Sequence, residues 1–320
     1  MKKIVIVTGD PNSINSEIIF KSWKRVSKNL RERIFFVSNI NLLKKQFKKL
    51  NLKLKIIEVK NTEFKRENDG IKVINIDLKF KNPFKVNFKE SSKFIQQSLR
   101  LVHKIGLKKN VGGVINCAID KRYLSKQNSG ATEFFAKLCK VKKDSEVMLL
   151  YNKKLSVSPL TTHINVNQIA KKINKHLIIK KILTINNWYK NKFKTKPKIG
   201  VLGLNPHNAE LRINSEEKRI IIPSISKLKK SGVKVNGPLV ADTVFIKEYK
   251  NYDLLVGMYH DQVLSPFKAL FNFDAINITL GLKYIRVSPD HGTAVNLIGK
   301  KRANPSSLIN CVNFLDKIIK

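Results

Sequence analysis

Short runs of β-branched and other apolar residues alternate along the chain with longer segments in which apolar residues recur every three to four positions. The short runs predict strands, and the longer segments predict amphipathic helices. This alternation is typical of an α/β fold built on a mostly parallel sheet. Strands are predicted at 3–8, 33–38, 54–59, 112–119, 146–151, 198–204 and 252–259, with further strand ends near 155–160 and 284–287.

The helical pattern is clearest in four segments. Residues 21–36 carry Trp23, Val26, Leu30 and Ile34 at helical spacing, and helices are also predicted at 166–192 and 220–229. Residues 60–92 lack this period and predict a loop with short strands. At the end of the chain, Asn304 can cap a helix whose first position is Pro305. Its apolar face is predicted to consist of Leu308, Ile309, Val312, Leu315, Ile318 and Ile319.

Length and composition indicate a folded protein of two lobes. The chain has 320 residues, of which 42% are hydrophobic and 27% are charged. That composition is typical of globular domains, and the length allows one large α/β unit or two smaller ones.

The formal net charge of +40 is unusual and raises the question of an anionic partner. Only ten of the 63 basic residues are arginine, and the lysines are scattered along the sequence together with many Asn and Ile residues. Nucleic-acid binders concentrate charge in one stripe and rely on arginine. We therefore attribute the charge to compositional bias and expect no nucleic-acid partner.

Cysteine usage and hydropathy indicate a soluble cytoplasmic protein. Cys117, Cys139 and Cys311 are far apart and form no CxxC pair, which favours reduced thiols over a disulfide framework or a zinc ribbon. Asp10 interrupts the first apolar run too early for a signal peptide. No segment approaches the 18 apolar residues of a membrane span, so no membrane association is expected.

Four histidines follow predicted strands. His163, His207, His260 and His291 each come shortly after an apolar run. The carboxyl ends of parallel strands meet at one edge of a sheet, where ligand sites lie. A lone histidine at such a position is more often structural than functional. Three imidazoles together, however, could hold a divalent ion that acts as a Lewis acid.

Further polar residues could bind an anion. Lys268, Asn277 and Arg286 lie among apolar residues, and a cation within the apolar run "YIRVS" needs a partner. The first strand leads into "TGDPNSINSEI" at 8–18, a strand–turn–helix junction that could also meet an anion. This junction has neither GxGxxG nor GK[ST], so it is neither a Rossmann fingerprint nor a P-loop.

Several blocks of the sequence resemble the 4-hydroxythreonine-4-phosphate dehydrogenase family of vitamin B6 biosynthesis, in the family's order and spacing. The blocks are "TGDPNSINSEI", "GATEFFA", "LTTH", "GLNPHNAE", "NGPLVADTVF", "MYHDQVLSPFK" and "NITLGLKYIRVSPDHGTAVNLIGK". The resemblance implies an isocitrate/isopropylmalate dehydrogenase-like fold, with two α/β/α lobes, a central cleft and a homodimer. It places a terminal lobe at 1–125 plus 285–320, and a central lobe with the metal and dimer contacts at 126–284.

The resemblance also implies roles for individual residues. The divalent metal, one Zn, Mg, Mn or Co ion per site, would be held by His163, His207 and His260. The substrate would be held by Thr132, Lys268, Asn277 and Arg286. The loop 291–305 would bind NAD or NADP through His291, Gly292, Thr293, Ala294 and Asn304. Lys268 and Asp242 are candidates for proton transfer.

The implied reaction is oxidation of the secondary alcohol of 4-hydroxythreonine 4-phosphate (4-phosphooxy-L-threonine) by NAD(P)⁺. The 3-oxo acid then loses CO₂ to give 3-amino-2-oxopropyl phosphate, in pyridoxal phosphate biosynthesis. Two alternatives stay open. One is a paralogous decarboxylase acting on a phosphorylated threonate or erythronate, and the other is a non-catalytic anion-binding protein.

Some positions depart from the family. Ser13, Asn15 and Ser16 replace two glycines and a proline in the first loop, which is expected to be reshaped. Ala131 replaces a histidine expected at the substrate phosphate, and Cys117-Ala118 and Asn296 also differ. Losing one hydrogen bond to a charged group costs roughly 1.5 to 3 kcal/mol. Lys121 or Lys126 could compensate.

Overall fold

The chain folds into two compact units. The computed structural model describes residues 1–64, 70–124, 130–142, 145–272 and 274–319. The terminal unit comprises Met1–Lys140 and Leu282–Lys320, and the central unit comprises Val141–Gly281. The predicted lobe boundary at 125–126 lies outside the described residues. Thr132, predicted in the central lobe, belongs to the terminal unit.

The elements of the terminal unit before the central unit are β1 (Lys3–Val7), α1 (Asn15–Arg25), α2 (Lys28–Arg31), β2 (Ile34–Ser38), α3 (Ile40–Lys49), β3 (Ile56–Glu58), β4 (Ile71–Asn75), α4 (Phe88–Gly106), β5 (Val111–Asn116) and α5 (Ala131–Leu138). Those of the central unit are β6 (Val147–Tyr151), β7 (Ser156–Thr161), α6 (Ile169–Lys172), α7 (Lys175–Phe193), β8 (Ile199–Leu202), α8 (Ile222–Lys230), β9 (Val235–Leu239), α9 (Ala241–Val244), β10 (Leu254–Tyr259), α10 (His260–Phe271) and β11 (Ile276–Leu280). The chain then returns to the terminal unit with β12 (Ile285–Pro289) and α11 (Ser306–Ile318).

The strands of the terminal unit are ordered β3-β4-β2-β1-β5-β12, and all of these pairs are parallel. The strands of the central unit are ordered β11-β6-β7-β10-β8-β9. There β6 runs antiparallel to both of its neighbours, whereas β7, β10, β8 and β9 are parallel. The predicted α/β class with a mostly parallel sheet is confirmed.

Each unit has its own apolar core. In the terminal unit, side chains from β1, β2 and β5 pack with the buried face of α4, which includes Phe94 and Leu99. In the central unit, Val157, Leu202 and Leu255 pack with Phe267 of α10. Strands covered on both faces are nearly continuous apolar runs, which explains why β2 and β10 were predictable from the sequence.

Two predicted helices are shorter in the structure. The segment 21–36 breaks at Val26, whose extended backbone ends α1. The short α2 follows, and β2 begins at Ile34, which pairs with Ile4 of β1. The segment 166–192 breaks at Ile173 and Asn174, whose extended backbones separate the short α6 from α7. The Asn174 side chain accepts from Leu177 N at 2.9 Å and caps α7. Neither break was visible in the sequence pattern, because residues of the following strand or cap happened to continue the spacing of three to four residues.

The remaining predictions of local structure were close. The segment 60–92 contains β4 and the beginning of α4, whose cap Asn87 accepts from Glu90 N at 2.9 Å. The C-terminal helix begins at Ser306, one residue after Pro305, and the Asn304 side chain accepts from Ser306 N at 2.9 Å. Its buried face includes Leu308, Cys311, Val312, Phe314 and Leu315.

Candidate functional site

Three parallel strands of the central unit lead to the three predicted metal-binding histidines. Strand β10 pairs with β7 on one side and β8 on the other, with Val256 opposite both Ser158 and Val201. Their carboxyl ends therefore lie at the same edge of the sheet. His260 follows β10 directly and opens α10, whereas His163 and His207 follow β7 and β8 in loops.

His163 and His260 lie side by side. Their ring centroids are 5.7 Å apart. His260 Nδ1 lies 2.7 Å from Asp261 Oδ1. Because a carboxylate can only accept, Nδ1 is the donor, and Nε2 is the nitrogen left to bind a metal.

The donor chemistry at these two histidines fits a divalent ion. With a metal–nitrogen bond of about 2.1 Å, two imidazoles sharing one ion have ring centres roughly 5 Å apart, close to the separation observed. His207 is exposed. Within the described ranges, no group of three or more His, Cys, Asp or Glu side chains is arranged to hold a metal. The fit therefore rests on His163 and His260, and the role of His207 as third ligand stays a prediction.

His207 lies in an unusual left-handed turn. Residues 207–211 all have positive φ, between 47° and 57°. Non-glycine residues rarely adopt this conformation, because the β-carbon crowds the backbone. Such a run persists only where neighbouring contacts determine it.

A buried carboxylate anchors the loop in front of this turn. Glu217 accepts from Leu204 N at 2.8 Å and from Asn205 N at 2.9 Å. Burial raises the pKa of Glu217, but the hydrogen bonds from Asn205 and Leu204 outweigh it and hold the pKa below its ordinary value. Behind the turn, Asn208 Nδ2 donates to Pro238 O at 3.1 Å. Glu217 was not predicted from the sequence.

Gln262 joins the ends of β10 and β8. Its Oε1 accepts from Met258 N and its Nε2 donates to Gly203 O, each at 2.7 Å. A β-carbon at Gly203 would lie 2.0 Å from Asn208 Oδ1, so a larger residue there would displace the Asn208 amide. The amide of Gln262 thus fixes the spacing of the two strand ends that lead to His207 and His260.

The other predicted residues of the central unit lie on three elements. Lys268 is half-buried on α10, and Asp242 is exposed on α9. Asn277 lies on β11, where its buried Oδ1 accepts no hydrogen bond from the described part of the chain. An unsatisfied buried amide oxygen of this kind is suited to accept a hydrogen bond from a ligand.

In the terminal unit, Arg286 is held in a fixed orientation. It is only 2% exposed, on β12. Its Nε donates to Asn116 Oδ1 at 2.6 Å and its Nη1 donates to Thr132 Oγ1 at 3.2 Å. The guanidinium carbon lies 5.5 Å from the centre of the Phe135 ring. Burial lowers the pKa of Arg286 to about 10, so the group stays cationic at neutral pH. Asn116 was not predicted from the sequence.

The altered first loop retains an ordered set of hydrogen bonds. Ser13 Oγ donates to Asp10 O at 2.6 Å, and Asn15 Nδ2 donates to Ala118 O at 2.8 Å. Gly9 has φ of 78°, and a β-carbon there would lie 2.5 Å from Ala118 O. Burial raises the pKa of Asp10 to about 6, although the amides of Asn12 and Asp120 donate to it. The replacing side chains are thus accommodated by local hydrogen bonds, while Ser16 is buried at the beginning of α1.

The predicted dinucleotide loop begins just after β12. His291 Nδ1 donates to Gly292 O at 2.9 Å, and Nε2 is buried without a hydrogen-bond partner among the described residues. Burial lowers the pKa of His291, so the ring is neutral and Nε2 can accept. A ribose hydroxyl could donate to it, which fits a dinucleotide. Thr293 and Ala294 are half-buried, whereas Gly292 and Asn304 are exposed.

Ala131 is the first residue of α5, next to Thr132. Lys121 Cε would lie 4.0 Å from a β-carbon at Gly130, so the Lys121 side chain runs beside the beginning of this helix. Lys126, the other residue suggested to compensate for the missing histidine, lies outside the described residues. Cys117, Cys139 and Cys311 are buried free thiols. In the part of the chain that is described, no helix is long and apolar enough to cross a membrane.

Comparison with known proteins gives consistent matches. The family model for "Pyridoxal phosphate biosynthetic protein PdxA" matches residues 30–315. A 4-hydroxythreonine-4-phosphate dehydrogenase of Sulfurihydrogenibium sp. (strain YO3AOP1) is 37% identical over 318 residues, covering 98% of this chain and 97% of the relative. A protein of Oceanobacillus iheyensis, provisionally named D-threonate 4-phosphate dehydrogenase, is 30% identical over 97% of this chain and 96% of its own. The crystal structure of 4-hydroxythreonine-4-phosphate dehydrogenase from Klebsiella pneumoniae has a TM-score of 0.86 at 28% identity, covering 100% of both chains.

Proposed function

Because the chain belongs to the family of the pyridoxal phosphate biosynthetic protein PdxA, we propose that it oxidises 4-hydroxythreonine 4-phosphate with NAD(P)⁺ and decarboxylates the product to 3-amino-2-oxopropyl phosphate. The observation that carries this proposal is the family match over residues 30–315. Hydride leaves the carbon of the secondary alcohol for the nicotinamide, and the hydroxyl proton leaves to a base. The bond to the carboxylate then breaks, CO₂ departs, and the former α-carbon takes up a proton.

The proposal assigns anion binding in the terminal unit to Arg286. Its contacts with Asn116 and Thr132 support this role, since they fix the plane of the guanidinium before any ligand arrives. A planar cation with a fixed fork of donors suits a carboxylate or phosphate. A group held in this way needs little reorganisation on binding, which favours affinity.

In the central unit, His163 and His260 would hold the divalent ion, with His207 as the proposed third ligand. Such an ion supplies Lewis acidity, which lowers the pKa of an alcohol and stabilises the negative charge that forms on decarboxylation. Asp261 keeps the His260 ring in the tautomer required for this role. Lys268 Nζ and the carboxylate of Asp242 are the proposed proton-transfer groups, and Asn277 Oδ1 would accept from the substrate.

Residues 291–294 with Asn304 are proposed to bind NAD(P)⁺, which would supply the hydride acceptor. The neutral His291 ring supports this role, because its buried Nε2 can accept from a sugar hydroxyl. The homodimer implied by the resemblance is part of the same proposal.

A second candidate substrate is a phosphorylated threonate. Ala131 stands where the family has a histidine expected at the substrate's phosphate, and one relative is provisionally named for D-threonate 4-phosphate. A phosphorylated threonate carries a hydroxyl where 4-hydroxythreonine 4-phosphate carries an amino group. The two candidates differ at that amino group, which makes them separable by direct assay.

The test is NAD(P)H formation by the purified protein, followed by absorbance. The panel would contain 4-hydroxythreonine 4-phosphate, D-threonate 4-phosphate and D-erythronate 4-phosphate, each with NAD⁺ or NADP⁺ and with added Zn²⁺, Mg²⁺, Mn²⁺ or Co²⁺. We expect the highest kcat/KM with 4-hydroxythreonine 4-phosphate. A higher value with a threonate would favour the second candidate, and no turnover of any compound would exclude both.

A further inference from the structure

Two oppositely charged side chains on helix α1 contact a distant loop of the terminal unit. Glu17 and Lys21 are one helical turn apart, and Lys21 Nζ lies 2.7 Å from Glu17 Oε1. The Glu17 side chain is 3% exposed and the Lys21 side chain is 28% exposed. A surface pair at this spacing contributes little to stability. A pair with a buried carboxylate needs further partners, because burial removes water from the charge.

Those partners are backbone groups of residues 301–303. Ala303 N donates to Glu17 Oε1 at 3.0 Å. Lys21 Nζ donates to Lys301 O and to Ala303 O, each at 2.9 Å. One carboxylate and one ammonium thus hold an amide and two carbonyls of the same short segment, and we call these five groups the α1 brace.

The braced segment includes a non-glycine residue in the left-handed region of backbone conformation. Gly299 has φ of 82° and Lys301 has φ of 56°. Positive φ at a non-glycine residue is a strained conformation that needs support from its surroundings. The segment lies between the short turn at 295–297 and helix α11, outside any strand. The α1 brace therefore supplies interactions that a strand ladder would otherwise provide.

A second contact links helix α1 to the beginning of the loop 291–303. Ile14, the residue before α1, donates from its backbone N to Thr293 O at 3.2 Å. The beginning of α1 thus contacts residue 293, and its first two turns contact residues 301–303. Both ends of the loop 291–303 are tied to one helix.

We infer that Glu17 and Lys21 are positioning residues that fix the loop 291–303 in the conformation that binds the dinucleotide. This inference rests on the proposed function, which assigns NAD(P)⁺ to that loop. The two residues act through the backbone of residues 301–303 and do not touch the reacting atoms. Loss of the brace is therefore expected to weaken dinucleotide binding and to leave the chemical step unchanged.

The test compares Lys21→Met, which keeps the aliphatic stem and removes both bonds to carbonyls, with Lys21→Arg, which can still donate to both. Lys24→Met is the matched control, since Lys24 lies on the same helix with its ammonium 5.9 Å from the centre of the Phe20 ring. Titration calorimetry gives the Kd for NAD⁺ and NADP⁺. Hydrogen exchange measured by mass spectrometry on the peptide 299–305 reports the brace without any ligand.

Lys21→Met is expected to speed exchange in the peptide 299–305 and to raise the dinucleotide Kd and KM about tenfold, the loss expected for hydrogen bonds to a charged group. At saturating dinucleotide, kcat should stay within about twofold, and Lys21→Arg and Lys24→Met should resemble the wild type. Glu17→Gln, which keeps an acceptor for Ala303 N but loses the ion pair, gives a milder version if Lys21→Met does not fold.

Faster exchange with an unchanged Kd would overturn the inference and leave the proposed function intact. A wild-type protein that binds neither NAD⁺ nor NADP⁺ would instead contradict the proposed function, and the inference with it. A fall in kcat equal to the fall in kcat/KM would also overturn the positioning role, because it would place the loss in the chemical step.

Discussion

The residue proposed to bind an anion in the terminal unit and the residues proposed to bind a metal in the central unit are held in opposite ways. Arg286 is buried at 2% exposure and is oriented by Asn116 and Thr132. His163 and His207 are exposed, and the His260 side chain is 31% exposed. The arginine is therefore part of the core of its unit, whereas the histidines extend from a core that is complete without them.

This difference indicates which positions can be substituted without loss of the fold. A buried cation depends on every neighbour, so the residues around Arg286 are constrained by folding as well as by binding. Exposed ligands depend chiefly on the backbone that carries them, here the ends of β7, β8 and β10. The family departures at Ser13, Asn15 and Ala131 all lie in the terminal unit, where local hydrogen bonds accommodate the first two.

The largest expected effect comes from removing the buried cation. Arg286→Met should lower kcat/KM for the phosphorylated substrate by about 10³-fold, since it removes a charged, oriented donor group. Arg286→Lys should rescue little, because an ammonium lacks the planar fork. Arg100→Met is the control, since Arg100 also lies over an aromatic ring, that of Phe134. Steady-state kinetics measure the loss of kcat/KM. A loss below tenfold would show that Arg286 is not the main group that binds the substrate's anion.

The second prediction concerns the cost of burying charge in the terminal unit. The raised pKa of Asp10, about 6 against an ordinary 3.8, means that the folded protein holds this proton more tightly than the unfolded chain. The associated stability is present below pH 4 and is lost as the pH rises through 6, by about 2 to 3 kcal/mol.

Asp10→Asn has no such proton, so its free energy of unfolding relative to the wild type should increase from pH 4 to pH 7. Urea unfolding at a series of pH values measures the difference. A difference that does not vary with pH would show that Asp10 is not buried as described.

The third prediction concerns the central unit. Asp261→Asn should weaken metal binding about 10- to 100-fold, because the amide no longer holds the His260 ring in the metal-binding tautomer. The free energy of unfolding should change by less than about 0.5 kcal/mol, since Asp261 is exposed. Calorimetric titration with Zn²⁺ and Mn²⁺, alongside thermal unfolding, distinguishes these results. A large loss of stability in Asp261→Asn would mean that the fold of the central unit depends on the histidine site, as the terminal unit depends on Arg286.

The smallest effect is expected at Ala131, the residue beside Thr132 that replaces the family's histidine. Ala131→His should lower the KM for 4-hydroxythreonine 4-phosphate up to about tenfold, by restoring a donor to its phosphate. Ala131→Leu, of similar size but without a hydrogen-bond donor, serves as control. An unchanged KM would indicate that Lys121 or another residue already fills the role of the missing histidine.

Much of the fold could be predicted, because buried parallel strands are apolar runs that need no context. β1, β2, β5 and β10 are of this kind. β9, with Asn236 and Gly237 in its middle, could not be recognised, because its pairing with β8 comes from tertiary contacts. The break at Asn174 was missed for a similar reason, since a capping asparagine inside an apolar pattern resembles any other polar position.

The site was predictable only in part. Histidines after strands stood out because the chain has six of them. Asn116, Glu217 and Gln262 did not, because amides and carboxylates are common and their roles depend on which backbone groups they meet. The Glu17–Lys21 pair has the spacing of an ordinary surface ion pair on a helix, and only the position of residues 301–303 distinguishes it.

The assignment of the metal to the central unit is tested most directly with two variants, His260→Gln and Arg286→Met. Both are purified and reloaded with metal side by side, and their metal content is measured. Each is also titrated with Zn²⁺ and Mn²⁺ by calorimetry. We expect His260→Gln to lose metal affinity by at least about 10²-fold, as is typical of a direct ligand. Arg286→Met should bind metal as the wild type does. Equal metal binding by His260→Gln and the wild type would contradict the assignment of the metal to the histidines of the central unit.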